Sequence, residues 1–168
     1  MMSKSEDLAI PVVSMIVERT VDGEKEILLQ TRNKPMVSPK YTGLLEIPAG
    51  AIRAYEDIYD AIARELKEEV GLTIRKIKNH AVSKTYSYHH DSGFAFRPFC
   101  CQYMKAGAPF LGVVFTVEAE EGKLIAQADE VKDPHWIKVS ELKKLFAEHP
   151  EKFFTLHAGV LELYLKEN

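Results

Sequence analysis

Residues 57–70 constrain this chain more than any other stretch. Ile58, Ile62, Leu66 and Val70 recur every four residues, the spacing of a helix that buries one face, and Gly71 follows as a suitable left-handed cap. On a wheel of about 100° per residue with Glu65 at zero, that apolar stripe runs from about 20° to about 140°. Glu69 falls at about 40°, inside the stripe, and Glu65 borders it, while Arg64 and Glu68 lie on the polar side. A solvated charged face would put the carboxylates opposite the stripe, and like charges at i and i+4 destabilise a helix by a few tenths of a kcal/mol. Solvation therefore accounts for Asp60 and Lys67 but leaves Glu65 and Glu69 unexplained. Partly desolvated carboxylates within reach of one another either take up protons or bind a cation, and hard oxygen ligands on one rigid helix suit Mg²⁺ or Mn²⁺. Arg64 stands one turn before Glu68 and can hold it, and Glu56 at the helix start is favoured by the dipole. A structural salt bridge and a catalytic role are both open to these two acids.

Composition narrows what such a site can serve. The 168 residues suffice for one domain with one well-buried core, and residues 1–168 are expected to form it. Lys and Arg number 22 against 25 Asp and Glu, a net charge of −3, so no positive excess exists to neutralise a nucleic-acid backbone or an anionic membrane. Neither partner is expected, and a phosphate-bearing ligand must be held locally, through metal ions. The two cysteines, Cys100 and Cys101, are adjacent, which disfavours a disulfide and points to a reducing, cytoplasmic compartment; both are expected to be buried small side chains. The first ten residues lack the apolar run of a secretion signal, and no later run approaches the roughly 20 apolar residues of a membrane span.

Around the helix the pattern is largely that of strands. Residues 10–18 and 26–30 flank Asp22-Gly23, a hairpin signal. Pro35, Pro39 and Gly43 make residues 33–43 a loop. Residues 74–88, 94–103 and 111–118 are expected to extend a sheet, with Trp136-Ile137 a further short strand. Ser140 is expected to cap a helix through Phe146, and Pro150 to begin a last helix with Phe153, Phe154, His157, Val160, Leu161 and Tyr164 facing inward. Strands, helix, strands and helices in this order imply an α/β fold, a mixed sheet in an α/β/α sandwich.

Residues 50–72 read GAIRAYEDIYDAIARELKEEVGL. Gly50, Glu56, Arg64-Glu65-Leu66, Glu68-Glu69 and Gly71-Leu72 match all nine defined positions of the Nudix box, and the chain resembles that family over most of its length, with decreasing specificity away from the box. The resemblance implies a Nudix-type sandwich and hydrolysis of a nucleoside diphosphate linked to another group, with divalent metals bridging the phosphate oxygens. It also implies Glu65 and Glu69 as metal ligands, Glu68 as a ligand or water-mediated partner, the carbonyl of Ala49 as a further ligand, and Arg64 with Glu56 as an orienting pair.

Outside the box, Glu46-Ile47-Pro48-Ala49-Gly50 is similar to the segment preceding it in Nudix enzymes that act on ADP-ribose and nucleotide sugars, and Glu46 is expected among the substrate contacts. Longer members of that group build a swapped dimer from an N-terminal sheet, for which about nine residues here leave little chain; a homodimer is left open. Arg32 can fork onto a phosphate or serve an ion pair. Glu130, next to Asp129, can complete the metal shell, take the water's proton, or remain a solvated loop charge. Tyr86 and Tyr88 share one strand face and Phe94 and Phe96 another, so either pair can stack on a base or pack the sheet. Tyr88, 16 residues beyond the box, resembles a marker of dinucleoside polyphosphate hydrolases, whereas His89-His90-Asp91 reads as a solvated turn. The expected activity is thus metal-dependent hydrolysis of a nucleoside diphosphate derivative. ADP-ribose or a nucleotide sugar comes first, and a nucleoside triphosphate or dinucleoside polyphosphate second. A nucleotide-sensing module without turnover is the rival, and the intact carboxylate set stands against it.

Overall fold

The computed structural model describes residues 8–80 and 82–168. The reading of the extreme N-terminus therefore lies mostly outside the described residues. Strands β1 (Ile10–Val21) and β2 (Glu24–Arg32) form the expected hairpin, longer than anticipated. Asp22 and Gly23 both take positive φ, 50° and 78°, the backbone that lets a two-residue turn follow the twist of its strands. Next come β3 (Leu45–Glu46), β4 (Ala49–Ala51) and helix α1 (Ile58–Val70). Then follow β5 (Ile74–Ile77), β6 (Ser83–Tyr88), β7 (Asp91–Phe96), β8 (Cys100–Tyr103), β9 (Phe110–Ala119) and β10 (Val131–Lys138). Helices α2 (Val139–Glu148) and α3 (Thr155–Glu167) close the chain.

The main sheet runs β10-β2-β1-β9-β5, with β3 added to β2, β4 to β1 and β8 to β9. β1 pairs parallel with β9 and antiparallel with β2, so the sheet is mixed. Alternation along β1 sorts its side chains to two layers. Val13, Met15 and Val17 share a core with Ile62, Leu66 and Val70 of α1, while Ile16 joins Ile27, Leu29, Val160 and Leu161 on the side of α2 and α3. Each such fully buried aliphatic contributes roughly 1.5–3 kcal/mol. The architecture is the expected α/β/α sandwich, and no described helix is long and apolar enough to cross a membrane.

Several local expectations change. Residues 74–88 are two strands because the chain turns between Ile77 and Ser83, with Asn79 at a φ of 62°. Residues 94–103 likewise divide, since Pro98 lacks an amide donor for the ladder. β6 and β7 leave the main sheet and form a ribbon of their own, anchored where Phe94 meets Tyr59 and Phe96 meets Phe115. Cys100 is only half-buried and Cys101 is exposed, because successive residues of β8 point to opposite faces. α2 begins at Val139 with Lys138 in the cap position, so Ser140 lies inside the first turn and does not cap. Pro150 opens a short 3₁₀ turn, Pro150–Lys152, and α3 starts only at Thr155. The six residues expected to face inward there are all buried.

Candidate functional site

α1 is set at both ends by its own sequence. The Asp57 side chain accepts from the Tyr59 amide at 2.8 Å, and Gly71 ends the helix at a φ of 76°. Its position against the sheet buries Glu69 to 1% exposure and Glu65 to 8%. β4 lies beside β1 in the register Val13↔Gly50 and Ser14↔Ala49, which brings the Ala49-Gly50 backbone against the two carboxylates. A Cβ on Gly50 would stand 1.9 Å from the carboxyl carbon of Glu65, so only glycine fits there with Glu65 in this position.

Glu69 is held by neutral donors. Its Oε2 accepts from Gln30 Nε2 at 2.8 Å and from the Ala49 amide at 3.0 Å, while its Oε1 lies 3.9 Å from Lys34 Nζ. Burial first, and then the charge of Glu46, pushes the Glu69 carboxyl up to about 8. Glu65 is raised by burial against the opposing Arg64. Glu46 is raised by burial too, although Arg32 Nη1 donates to its Oε2 at 3.1 Å.

Arg64 organises the outer side. Its Nε and Nη2 fork onto Glu56 at 2.6 and 2.8 Å, its Nη2 also donates to the Ala51 carbonyl at 3.0 Å, and its Nη1 reaches Glu65 and, at 3.1 Å, Glu68. The guanidinium hydrogen bonds hold the Glu56 carboxyl down at about 2. Glu56 is thus ionised across the physiological range, and one arginine ties the start of α1 to two of its box glutamates.

The other expected residues sit as follows. Arg32 is buried in a pair with Glu46; its Nη2 donates to Ser38 Oγ at 3.0 Å and its guanidinium lies 4.8 Å from the centre of the Phe154 ring. Glu130 contacts Lys34, and its carbonyl accepts from the Asn33 amide at 2.7 Å. Tyr86 and Tyr88 are exposed on the ribbon with their rings nearly parallel, whereas Phe94 and Phe96 pack into the core. His89 and His90 form an exposed turn, and Asp91, also exposed, begins β7 opposite Tyr88. A polar cavity of about 730 Å³ contains none of these carboxylates; its lining charges pair among themselves, as in Arg75–Glu118 and Lys78–Glu18.

Two residues escaped the sequence reading. Gln30 lies on the same face of β2 as the core residue Leu28, so a polar residue in an apolar lane was the available signal. Lys34, in a loop, carried none.

The arrangement suits a hard divalent cation. Among the described residues no three His, Cys, Asp or Glu side chains converge as a finished ligand set, because Glu65 and Glu68 turn to Arg64 and Glu69 Oε2 to Gln30 and Ala49. The donors are nevertheless hard carboxylate oxygens whose charged forms burial disfavours in the absence of a cation, and the ammonium of Lys34 already stands at Glu69 and Glu130.

The family model described as NUDIX domain matches residues 10–157. An NAD-capped RNA hydrolase NudC of Pseudomonas syringae is 26% identical over 145 residues, 84% of this chain and 43% of that protein. An ADP-ribose pyrophosphatase of Saccharomyces cerevisiae is 40% identical over 75 residues, 45% of this chain and 29% of that protein. The chain thus spans less than half the length of these curated relatives. Among solved structures, the NUDIX domain of Shewanella oneidensis NrtR complexed with ADP ribose superposes with a TM-score of 0.58 at 17% identity, covering 86% of this chain and 82% of that one. A Caenorhabditis elegans Ap4A hydrolase binary complex gives 0.59 at 16%, covering 92% and 94%. Both likenesses concern the fold.

Proposed function

The chain belongs to the Nudix family, and from that premise we propose that it is a divalent-metal-dependent pyrophosphohydrolase that splits the phosphoanhydride of a nucleoside diphosphate linked to a sugar. The observation that carries the reading is the buried Glu69 carboxylate, fixed by Gln30 and the Ala49 amide beside a second raised carboxylate, Glu65. A fold does not bury two such acids on a core stripe for stability. Glu65, Glu68 and Glu69, with the carbonyl of Ala49, would hold Mg²⁺ or Mn²⁺. When bound, such an ion neutralises the phosphate oxygens and sharpens the attacking water.

The chain's own residues supply the rest. Glu56 fixes Arg64, and Arg64 fixes Glu65 and Glu68, so the outer ligands keep their orientation through turnover. Gly50 leaves the space in which the Glu65 carboxylate sits. Glu130, at the end of the loop that precedes β10 and in contact with Lys34, would accept the water's proton. Arg32 and Glu46, buried against one another, support the floor of the site, and the exposed rings of Tyr86 and Tyr88 offer stacking surface for a base.

Two relatives favour an adenylate joined through a pyrophosphate to a second ribose, since ADP-ribose and an NAD cap share that unit. The Ap4A hydrolase likeness keeps dinucleoside polyphosphates as the second reading. Side-by-side kcat/KM values with Mg²⁺ for ADP-ribose, NAD, nucleotide sugars, dinucleoside polyphosphates and nucleoside triphosphates test this. ADP-ribose or NAD should lead, and a tenfold preference for triphosphates would refute the substrate assignment.

A further inference from the structure

Glu69 has one oxygen committed and one free. Among the described residues, Oε2 takes both neutral hydrogen bonds, whereas Oε1 faces only the ammonium of Lys34, at 3.9 Å. The same ammonium contacts Glu130 Oε2, so a single lysine bridges a buried box glutamate and the loop carboxylate. The bridge is not a casual surface contact. Asn33 beside it is pinned to the loop twice, by its amide on the Glu130 carbonyl at 2.7 Å and by its Nδ2 on the Ala128 carbonyl at 2.6 Å. The Lys34 side chain is about four-fifths buried, and its charge is felt at Glu46 as well as at Glu69.

We propose that Lys34 is a built-in counter-ion of this site, held between Glu69 and Glu130 until a divalent cation displaces it, so that metal loading also frees Glu130. The ammonium stands 3.9 Å from Glu69 Oε1, so a divalent cation bound to that oxygen would be repelled by it across a short distance in a partly buried pocket. Metal affinity is therefore set partly by the lysine, and Glu130 is released to act on water only in the loaded state. Lys34 is in this sense a positioning residue, acting through the two carboxylates it holds.

The inference rests on the metal reading above, and one experiment separates the two. Mn²⁺ is titrated into the full chain at pH 8.5 by calorimetry, for wild type, Lys34→Met, Lys34→Gln and Lys34→Arg. Removing one positive charge from beside the ligand oxygens should tighten Mn²⁺ binding at least about tenfold in both neutral variants, while Lys34→Arg stays near wild type. Two neutral variants guard against a folding defect in either one. A lysine with a merely structural role would leave the affinity unchanged or weaken it when lost, and that result in both neutral variants, with wild type binding normally, overturns the proposal. No Mn²⁺ binding by wild type would overturn the metal reading and this inference with it.

Discussion

Glu69→Gln is expected to stabilise the metal-free protein and, at the same time, to remove its turnover. The stability arises from linkage. An unfolded Glu69 ionises near 4.5, whereas the folded protein keeps its proton up to about 8. Between those values the native state binds more protons than the unfolded state, so the contribution of this group is fully present below pH 4.5 and is lost as pH rises through 8. At pH 7 the interval is 2.5 pH units, and at about 1.36 kcal/mol per unit the loss is about 3 kcal/mol. Glutamine has no ionised form to desolvate, and its Oε1 can take over both bonds that Glu69 Oε2 accepts, from Gln30 Nε2 and the Ala49 amide. For a chain of this size the gain corresponds to about 6–12 °C in Tm. Thermal melts in a chelator from pH 5 to pH 8 are the assay, with the increment small at pH 5 and growing towards pH 8. Mg²⁺-dependent turnover should fall at least about a hundredfold in the same variant, the scale of losing one strong electrostatic stabiliser. An increment that is flat with pH, or a folded variant with near-normal turnover, would refute the placement of Glu69 as a buried metal ligand.

Two further outcomes follow from the same geometry. Gly50→Ala places a Cβ where the Glu65 carboxylate now stands; because that end of a flexible side chain can move, stability should change by less than about 1 kcal/mol while turnover falls at least about tenfold, and activity within twofold of wild type would show that Glu65 does not work from this position. His157, whose Nε2 lies 3.2 Å from Ser14 Oγ, is held down to about 3 by burial and then by the Arg32 charge, so it contributes the opposite slope: stability is lost as pH falls below 6.5, by about 2 kcal/mol at pH 5, and urea titrations should find that His157→Gln removes this slope, whereas equal slopes would refute it.

What the sequence made legible was local or repeated. The stripe Ile58, Ile62, Leu66 and Val70 and the Asp57 and Gly71 caps define α1 without help from the rest of the chain, and the wheel alone placed Glu65 and Glu69 against the core. The break after Ile77 was illegible because a strand-like pattern of side chains continues across it while the backbone turns, at Asn79 without a glycine, whereas the break after Phe96 carries its own signal in Pro98. Contacts across the sheet were harder still. Arg32 meets Glu46 because β2 and β3 pair in the register Gln30↔Glu46, and Gln30 meets Glu69 only because β2 runs beneath α1. Neither relation is encoded in spacing along the chain, so the sequence left Arg32 open between a phosphate fork and an ion pair, and named no partner for the pair that it makes with Glu46.

The three buried acids gathered around α1 and β3, Glu46, Glu65 and Glu69, are not equivalent, and their difference locates the chemistry. Glu46 has Arg32 within hydrogen-bonding distance, and Glu65 has Arg64. Glu69 has only neutral donors on one oxygen and, on the other, an ammonium too far away for a hydrogen bond. Of the three it is therefore the one whose charge the protein leaves least compensated, and it is the most deeply held by backbone, through the Ala49 amide of the strand that also presents Gly50. If stability alone were at stake, an apolar residue at this stripe position would satisfy the core as Leu66 and Val70 do. A carboxylate kept there, short of one positive charge and fixed against movement, is complementary to a cation that arrives from solvent with the substrate's phosphates rather than to any group of the chain.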